Sequence, residues 1–66
     1  MIKVNGNFRG RPDGTLLDLL MEEGIDRSAR GVAVALNGAV LPRSRWPETG
    51  LADGDEIEIV KVMQGG

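Results

Sequence analysis

The last two residues, Gly65 and Gly66, carry the clearest chemical possibility in this sequence. A chain end made of two glycines has no Cβ atoms, so it can enter a narrow channel in an extended conformation and leave its carbonyl carbon open to attack. A carboxylate resists nucleophiles until one oxygen becomes a good leaving group. Adenylation with ATP would supply that activation, and a sulfur nucleophile on a partner would then convert the acyl adenylate to a thiocarboxylate.

An incidental chain end is the competing interpretation of the two glycines, because terminal residues are commonly disordered. The sequence contains no cysteine, which suits the first interpretation, since no internal thiol can capture an activated acyl group. It also contains no histidine, so disulfides, thiolate or imidazole catalysis and zinc sites of Cys or His are excluded. We therefore do not expect an enzyme.

Four acidic residues lie close together before and within the last apolar segment: Asp53, Asp55, Glu56 and Glu58. Strand alternation places Glu56 and Glu58 on one face and Asp55 off it. Because Ca²⁺ and Mg²⁺ sites need convergent carboxylates, we predict no metal site and interpret the group as a solvated acidic rim. Such a rim would steer the chain toward a basic partner.

The overall charge and hydropathy exclude two classes of partner. Eight basic and ten acidic residues give a net charge of −2, which argues against a nucleic-acid-binding surface. No apolar run approaches the roughly 18 residues of a membrane span. Met1 leads directly into an alternating segment, without the apolar core of a signal peptide, so we expect a cytoplasmic protein that does not bind membranes.

The 66 residues, of which 41% are hydrophobic, predict one small domain that opens with a β-hairpin. Residues 1–4 alternate apolar and polar side chains, and Asn5-Gly6 is typical of a tight turn. The second strand is expected from Asn7 to about Arg11. A two-residue loop pairs Lys3 with Phe8, which places Phe8 opposite the core; either the loop is longer or Phe8 covers the far side of the sheet.

A helix of about two turns is predicted from Leu16. Thr15 lies three residues before Asp18, the spacing of a capping box. The apolar stripe is formed by Leu16, Leu19 and Leu20 and widened by Leu17 and Met21. Gly24 suits the left-handed position after the helix, where Ile25 can pack back on Leu20.

The rest of the chain predicts three strands. Segments 32–36 and 39–41 flank a second turn at Asn37-Gly38, residues 43–50 form an irregular connection with Trp46 turned inward, and segment 56–62 forms a strand with Ile57 and Ile59 buried. One helix must cover one face of the sheet, so the first and last strands are expected to be central and parallel. This α+β arrangement is the ubiquitin-like β-grasp, a mixed sheet of about five strands. We assign residues 1–62 to the domain and 63–66 to a flexible tail.

Several segments together resemble one family over essentially the whole chain. They are PDGTLLDLL at 12–20, VAVALNG at 32–38, VLPRS at 40–44 with Trp46, Leu51 with the DGD at 53–55, and the final Gly65-Gly66. The sequence resembles the ThiS family of sulfur carriers, small ubiquitin-like proteins of thiamine biosynthesis.

The resemblance implies that an E1-like adenylyltransferase of the ThiF type uses ATP to activate Gly66, and that a thiazole synthase of the ThiG type receives the sulfur installed there. It implies no bound cofactor and a monomer on its own. Gly65 would form a slim neck. The implied partner-binding residues are Val60, Val62, Met63 and Gln64. A place in the core is the alternative for Val60 and Val62, which alternation places opposite Ile57 and Ile59.

Other functions remain open from the residues alone. The same tail chemistry would serve sulfur delivery to molybdopterin or to cysteine synthesis. A non-covalent β-grasp interaction module, with incidental glycines, is a hypothesis of another class. A ubiquitin-like protein modifier is disfavoured.

Overall fold

The computed structural model describes residues 1–26 and 28–61. It contains five strands, one α-helix and one 3-10 helix. In chain order these are β1 (Ile2–Val4), β2 (Asn7–Arg9), α1 (Leu16–Glu22), β3 (Val32–Leu36), β4 (Ala39–Leu41), the 3-10 helix (Arg43–Glu48) and β5 (Glu56–Lys61).

The five strands form one mixed sheet in the order β2-β1-β5-β3-β4. The neighbours β1 and β5 are parallel, and the remaining pairs are antiparallel. This confirms the prediction that the first and last strands lie together in the interior of the sheet. The last strand, β5, is the central one in this order.

Both hairpins close with the two-residue turns that their Asn-Gly pairs predict. Asn5 and Asn37 have φ of 49° and 51°, and the glycine after each also has a positive φ. These values suit the hairpin turn whose twist matches that of the strands. The tight first turn pairs Lys3 with Phe8, and Phe8 is exposed on the side of the sheet away from the core. The longer-loop alternative is therefore wrong, and β2 ends at Arg9 rather than near Arg11.

Helix α1 begins and ends as its capping residues predict. The Asp18 backbone N–H donates to Thr15 Oγ1 (3.4 Å), and the Thr15 N–H donates to the Asp18 carboxylate (2.9 Å). At the other end, Gly24 (φ 83°) allows the Ile25 N–H to reach the Leu20 carbonyl at 2.8 Å. These bonds satisfy backbone groups that have no partner inside the helix.

The core lies between α1 and one face of the sheet. Leu16, Leu19 and Leu20 are fully buried, whereas Met21 is 57% exposed, so the apolar stripe is narrower than expected on that side. The buried apolar residues are Ile2, Val4, Leu16, Leu19, Leu20, Ile25, Val34, Trp46, Leu51 and Ile57.

Residues 43–48 form a 3-10 helix where we expected an irregular connection. Trp46 explains the order in this segment, because its side chain is buried in the core as predicted and packs beside the Arg43 guanidinium, 5.5 Å from the ring centre. Pro47 lies inside the helix, where it costs one backbone N–H donor.

A search of the described helices finds no segment long and apolar enough to cross a bilayer.

Candidate functional site

The predicted site lies at the end of β5, and the structure places one of its residues, Val60. The others lie outside the described residues: Val62, Met63, Gln64, Gly65 and Gly66. The site can therefore be built from β5, from the contacts that hold β5 in the sheet, and from the surface around Val60.

Strand β5 is held by different partners along its two sides. On one side residues 57–61 pair with β3, from Ile57 opposite Leu36 to Lys61 opposite Val32. On the other side the ladder with β1 ends early, at the pair Val4 and Ile57. Residues 58–61 of β5 therefore lie at a local edge of the sheet.

Two turn asparagines complete the hydrogen bonding of β5. The Asn5 side-chain oxygen accepts the Ile59 N–H at 2.7 Å, just beyond the last β1 pair. The Asn37 side-chain oxygen accepts the Glu56 N–H at 2.9 Å, and its amide donates to Asp55 at 3.0 Å. The second hairpin turn therefore holds the start of β5, and the first holds the strand at Ile59. Sequence reasoning assigned these residues to turns alone, and nothing in an Asn-Gly pair reveals the distant partner.

Val60 lies on the face of the sheet that α1 leaves uncovered, here called the open face. Its side chain is 54% exposed, whereas Ile57 on the other face is buried. The core alternative is thus wrong for Val60; Val62 falls outside the described residues. By strand register and alternation, the open face comprises Lys3, Phe8, Ala33, Ala35, Val40, Glu56, Glu58 and Val60.

The open face has an apolar part and a charged part. Ala33 pairs with Val60, and Ala35 pairs with both Glu58 and Val40, which is 73% exposed. Sequence analysis placed Ala33, Ala35 and Val40 in strands without a functional role. The signal that marks them is the small-large alternation of β3, read together with its register.

The charged part centres on β1 and β5. The Lys3 ammonium lies 3.7 Å from the Glu56 carboxylate and 4.9 Å from the centre of the Phe8 ring. Glu58 follows on the same face. Asp55 is separate from this pair, because its carboxylate accepts hydrogen bonds from the Ala52 N–H and the Asn37 side chain. Within residues 1–26 and 28–61, no three acidic groups are arranged to hold a metal ion.

Asp53 lies on the loop before β5 and binds the start of the chain. Its carboxylate accepts a hydrogen bond from the Met1 amino group at 2.9 Å, and the Arg11 guanidinium lies 3.8 Å away. The hydrogen bond and the charge of the amino group, followed by the charge of Arg11, lower the pKa of Asp53 below its ordinary value of 3.8. The ion pair with the Met1 amino group therefore accounts for the lowered pKa of Asp53, and no catalytic role is needed to explain it.

The fold and this surface define a class of protein before any comparison. A five-stranded mixed sheet with one main helix, open on its other face, is a ubiquitin-like β-grasp. The crystal structure of a thiamine biosynthesis protein (ThiS) from Geobacter metallireducens matches it with a TM-score of 0.74 and 34% identity, covering 98% of this chain and 97% of that one.

Sequence comparison gives the family. The ThiS family model matches residues 2–66, and the chain belongs to the ThiS family. The sulfur carrier protein ThiS of Thermus thermophilus is 39% identical over 66 residues, which cover 100% of both chains. A thiazole synthase of Paramagnetospirillum magneticum is 34% identical over 64 residues, covering 96% of this chain and 19% of that protein.

Proposed function

We propose that this chain is a cytoplasmic sulfur carrier protein of thiamine biosynthesis, a substrate of enzymes rather than an enzyme. Gly66 is adenylated by an E1-like adenylyltransferase of the ThiF type and converted to a thiocarboxylate, which gives its sulfur to a ThiG-type thiazole synthase. The observation that carries the proposal is the family match over residues 2–66, which includes both terminal glycines. The relative from Thermus thermophilus, named as a sulfur carrier, supports it along the full length.

In the proposed chemistry, the Gly66 carboxylate is the only group of this chain that reacts. The Gly66 carboxylate attacks the α-phosphorus of ATP, and pyrophosphate leaves. A sulfur nucleophile then attacks the acyl carbon, and AMP leaves with the electrons of the broken C–O bond. Hydrosulfide would give the thiocarboxylate directly, whereas a persulfide of the partner would give an acyl disulfide that a two-electron reductant cleaves. ATP is consumed by the partner enzyme, and this chain holds no cofactor.

The tail residues have positioning roles in this proposal. Gly65 forms a neck without a side chain, so that Gly66 can reach an enclosed active site. Val62, Met63 and Gln64 contact the partner, as Val60 does. The exposure of Val60 on the open face supports this role, because an apolar side chain at 54% exposure contributes little to the core.

The thiazole synthase relative supports the choice of acceptor. That protein contains a segment similar to 96% of this chain, so a carrier-like domain and a named thiazole synthase occur in one polypeptide. Sulfur delivery to molybdopterin or cysteine synthesis uses the same tail chemistry, and the identity of the acceptor enzyme distinguishes these pathways. Transfer of sulfur to a thiazole synthase, and not to the other acceptors, is the expected result.

Intact-mass spectrometry tests the proposal. The full chain is incubated with a ThiF-type enzyme, ATP and a sulfur source, and should gain the mass difference between one sulfur and one oxygen atom. Deleting Gly66, or adding one alanine after it, should abolish the gain and leave the fold intact. Gly10→Ala is the control, because a Cβ at Gly10 meets nothing within 4 Å.

The same measurement can reject the proposal. Absence of any adduct on the unmodified chain, with a partner set that loads another carrier, would contradict it. Unimpaired function of the alanine-extended chain would instead favour a non-covalent interaction module.

A further inference from the structure

We propose that the thiazole synthase adds an extended segment of its own chain to the sheet, parallel to β5 and beside residues 59–61. The inference rests on the proposed function for the identity of this partner. The segment binds at a local edge of the sheet, next to the end of α1, and not on the open face.

The parallel ladder between β1 and β5 stops before β5 ends. The Lys3 N–H donates to the Asp55 carbonyl, and the Asn5 N–H donates to the Ile57 carbonyl, both at 2.9 Å. The Ile59 N–H then donates to the Asn5 side-chain oxygen at 2.7 Å, which takes the place of a backbone carbonyl of β1. The first hairpin turn begins at Asn5, so the chain leaves β5 at this point.

Two backbone groups of β5 remain at this edge. Because backbone groups alternate in direction along a strand, the Ile59 carbonyl and the Lys61 N–H point to the side that β1 occupies earlier in β5. Within residues 1–26 and 28–61, no strand lies beside these two groups. One residue of a parallel strand bonds both, because its N–H donates to the carbonyl and its carbonyl accepts the N–H. A further main chain in parallel register therefore completes this edge.

A cavity next to the edge offers room for one side chain of the added segment. Its volume is about 340 Å³, and it is lined by Asn5, Glu23, Ile25, Ile59 and Lys61. Ile25 is buried and Ile59 is half-buried against the core, so the cavity has an apolar floor. In strand addition, main-chain hydrogen bonds give affinity and pockets for alternate side chains give specificity. An apolar residue of the segment beside Ile59 fits this cavity.

The two charges that line the cavity differ in their partners. Glu23 is already bound by Arg9 at 2.6 Å, whereas Lys61 makes no ion pair in the described part of the chain. Ile59 and Lys61 are two residues apart, so their side chains lie on the same side of β5. The segment should therefore carry an apolar residue beside Ile59 and, two positions later, an acidic residue beside Lys61.

The position of this edge suits the enzyme that receives sulfur from Gly66. Lys61 precedes Gly66 by five residues, which span at most about 17 Å at roughly 3.4 Å per extended residue. An enzyme that pairs with residues 59–61 thus has the carboxyl group within reach in the same binding event. Among the two enzymes of the proposed function, the thiazole synthase is the one that a relative of this chain supports.

Substitution of Lys61 tests the added strand by calorimetric binding of the full chain to a purified ThiG-type thiazole synthase. Lys61→Pro removes both the charge and the backbone N–H, whereas Lys61→Ala removes the charge alone and is the matched control. The proline variant should bind about three- to tenfold more weakly than the alanine variant, the effect of one lost hydrogen bond. Proline is compatible with the ladder to β3, because this N–H points away from β3. Circular dichroism and thermal melts verify the fold of both variants.

Amide hydrogen exchange of the parent chain gives a second readout that needs no variant. The Lys61 N–H should exchange at least about tenfold more slowly when the thiazole synthase is bound, because the added strand accepts it. The N–H of Gly10, an exposed residue after β2, is the control and should exchange equally in both states. An unchanged rate at Lys61 in the complex would overturn the inference.

Charge reversal tests the acidic residue of the segment. Lys61→Glu should bind more weakly than Lys61→Ala at low salt, and the difference should shrink as salt increases. Arg45→Glu, at an exposed position of the 3-10 helix, is the control and should change binding less than twofold. Equal effects of the two reversals would contradict the pairing with Lys61.

The outcomes separate this inference from the proposed function. A normal mass gain by the parent chain, with equal binding of Lys61→Pro and Lys61→Ala or no binding to the thiazole synthase, overturns the inference alone. A binding loss specific to the proline variant, without any mass gain by the parent chain, overturns the proposed function alone. A proline-specific loss seen only with the adenylyltransferase, or protection of the Lys61 N–H in dimers of the free chain, would identify another occupant and overturn the inference.

Discussion

At the scale of single residues, the two turn asparagines do more than close hairpins. Asn5 and Asn37 adopt φ near 50°, which Asn tolerates better than most residues, and each accepts an N–H from β5. Glycine could supply the backbone conformation but not the side-chain oxygen. The choice of Asn at both positions therefore couples turn formation to the placement of the strand that precedes the chain end.

We predict that Asn5→Gly and Asn37→Gly each lower the free energy of unfolding by about 1 kcal/mol, because each leaves one β5 N–H without its acceptor while preserving the turn. Amide hydrogen exchange should locate the effect. Asn5→Gly should accelerate exchange at Ile59, and Asn37→Gly should accelerate it at Glu56. Each variant is the control for the other. Uniform acceleration of exchange in both variants would argue against a local effect of each asparagine hydrogen bond.

The pKa of Asp26 gives a second prediction at this scale. The Ser28 hydroxyl and then the Ser28 N–H, at 2.7 and 2.9 Å, lower the pKa of Asp26 below its ordinary 3.8. Ser28→Ala should raise it toward 3.8 in an NMR titration, while the pKa of Asp53 stays lowered by its hydrogen bond to the Met1 amino group and by the charges of that group and of Arg11.

The sign of the stability effect follows from the lowered pKa. The Asp26 contacts stabilise the fold above pH 3.8, the ordinary pKa, and this stabilisation is lost as the pH falls through the lower pKa of the folded state. The parent chain should thus be more stable than Ser28→Ala near neutral pH, with the difference shrinking in acid. A difference that grows in acid would contradict the assignment.

At the scale of elements, α1 depends on its first turn because it has only seven residues. The Leu16 N–H is satisfied outside the helix by the Thr49 carbonyl at 2.7 Å, and Thr15 caps the Asp18 N–H. Short helices are marginal by themselves, so these contacts and the buried leucines together stabilise α1.

We predict that Thr15→Ala destabilises the chain by about 1 kcal/mol and that Thr15→Ser restores most of the loss, because serine keeps the accepting oxygen. Urea unfolding followed by the fluorescence of Trp46, the single tryptophan, measures both. Equal stability of the alanine and serine variants would mean that the hydroxyl does not act as the cap.

The elements that sequence predicted well are those with local signals. Asn-Gly pairs, the Thr15 cap and the Gly24 stop each act over a few residues, and the structure confirms them. The sequence did not predict the 3-10 helix at Arg43–Glu48, because Pro47 is a local signal for a break in structure. The burial of Trp46 depends on tertiary packing, which the local sequence does not show. The grouping of Ala33, Ala35, Val40 and Val60 on the open face also escaped prediction, since it exists only once β3, β4 and β5 are in register.

At the scale of the whole molecule, stability and the proposed chemistry occupy different parts of the chain. The buried apolar residues of the described structure extend from Ile2 to Ile57, and β5 then continues to Lys61 by pairing with β3. The glycine that would react is nine residues beyond Ile57. The core can therefore be packed for stability without affecting the residues that would react.

This separation predicts that a chain ending at residue 62 folds with nearly unchanged stability and cannot be adenylated. It should therefore inhibit adenylation of the full chain competitively, with an inhibition constant larger than the dissociation constant of the full chain, because it keeps Val60 but lacks the contacts proposed for Met63 and Gln64. The same truncated chain carrying Val60→Lys is the matched control and should inhibit at least about tenfold more weakly. Both inhibition constants are measured from the rate of pyrophosphate release during adenylation of the full chain in the presence of each truncated chain. A truncated chain that folds but does not inhibit would show that the tail, and not the open face, supplies the binding energy.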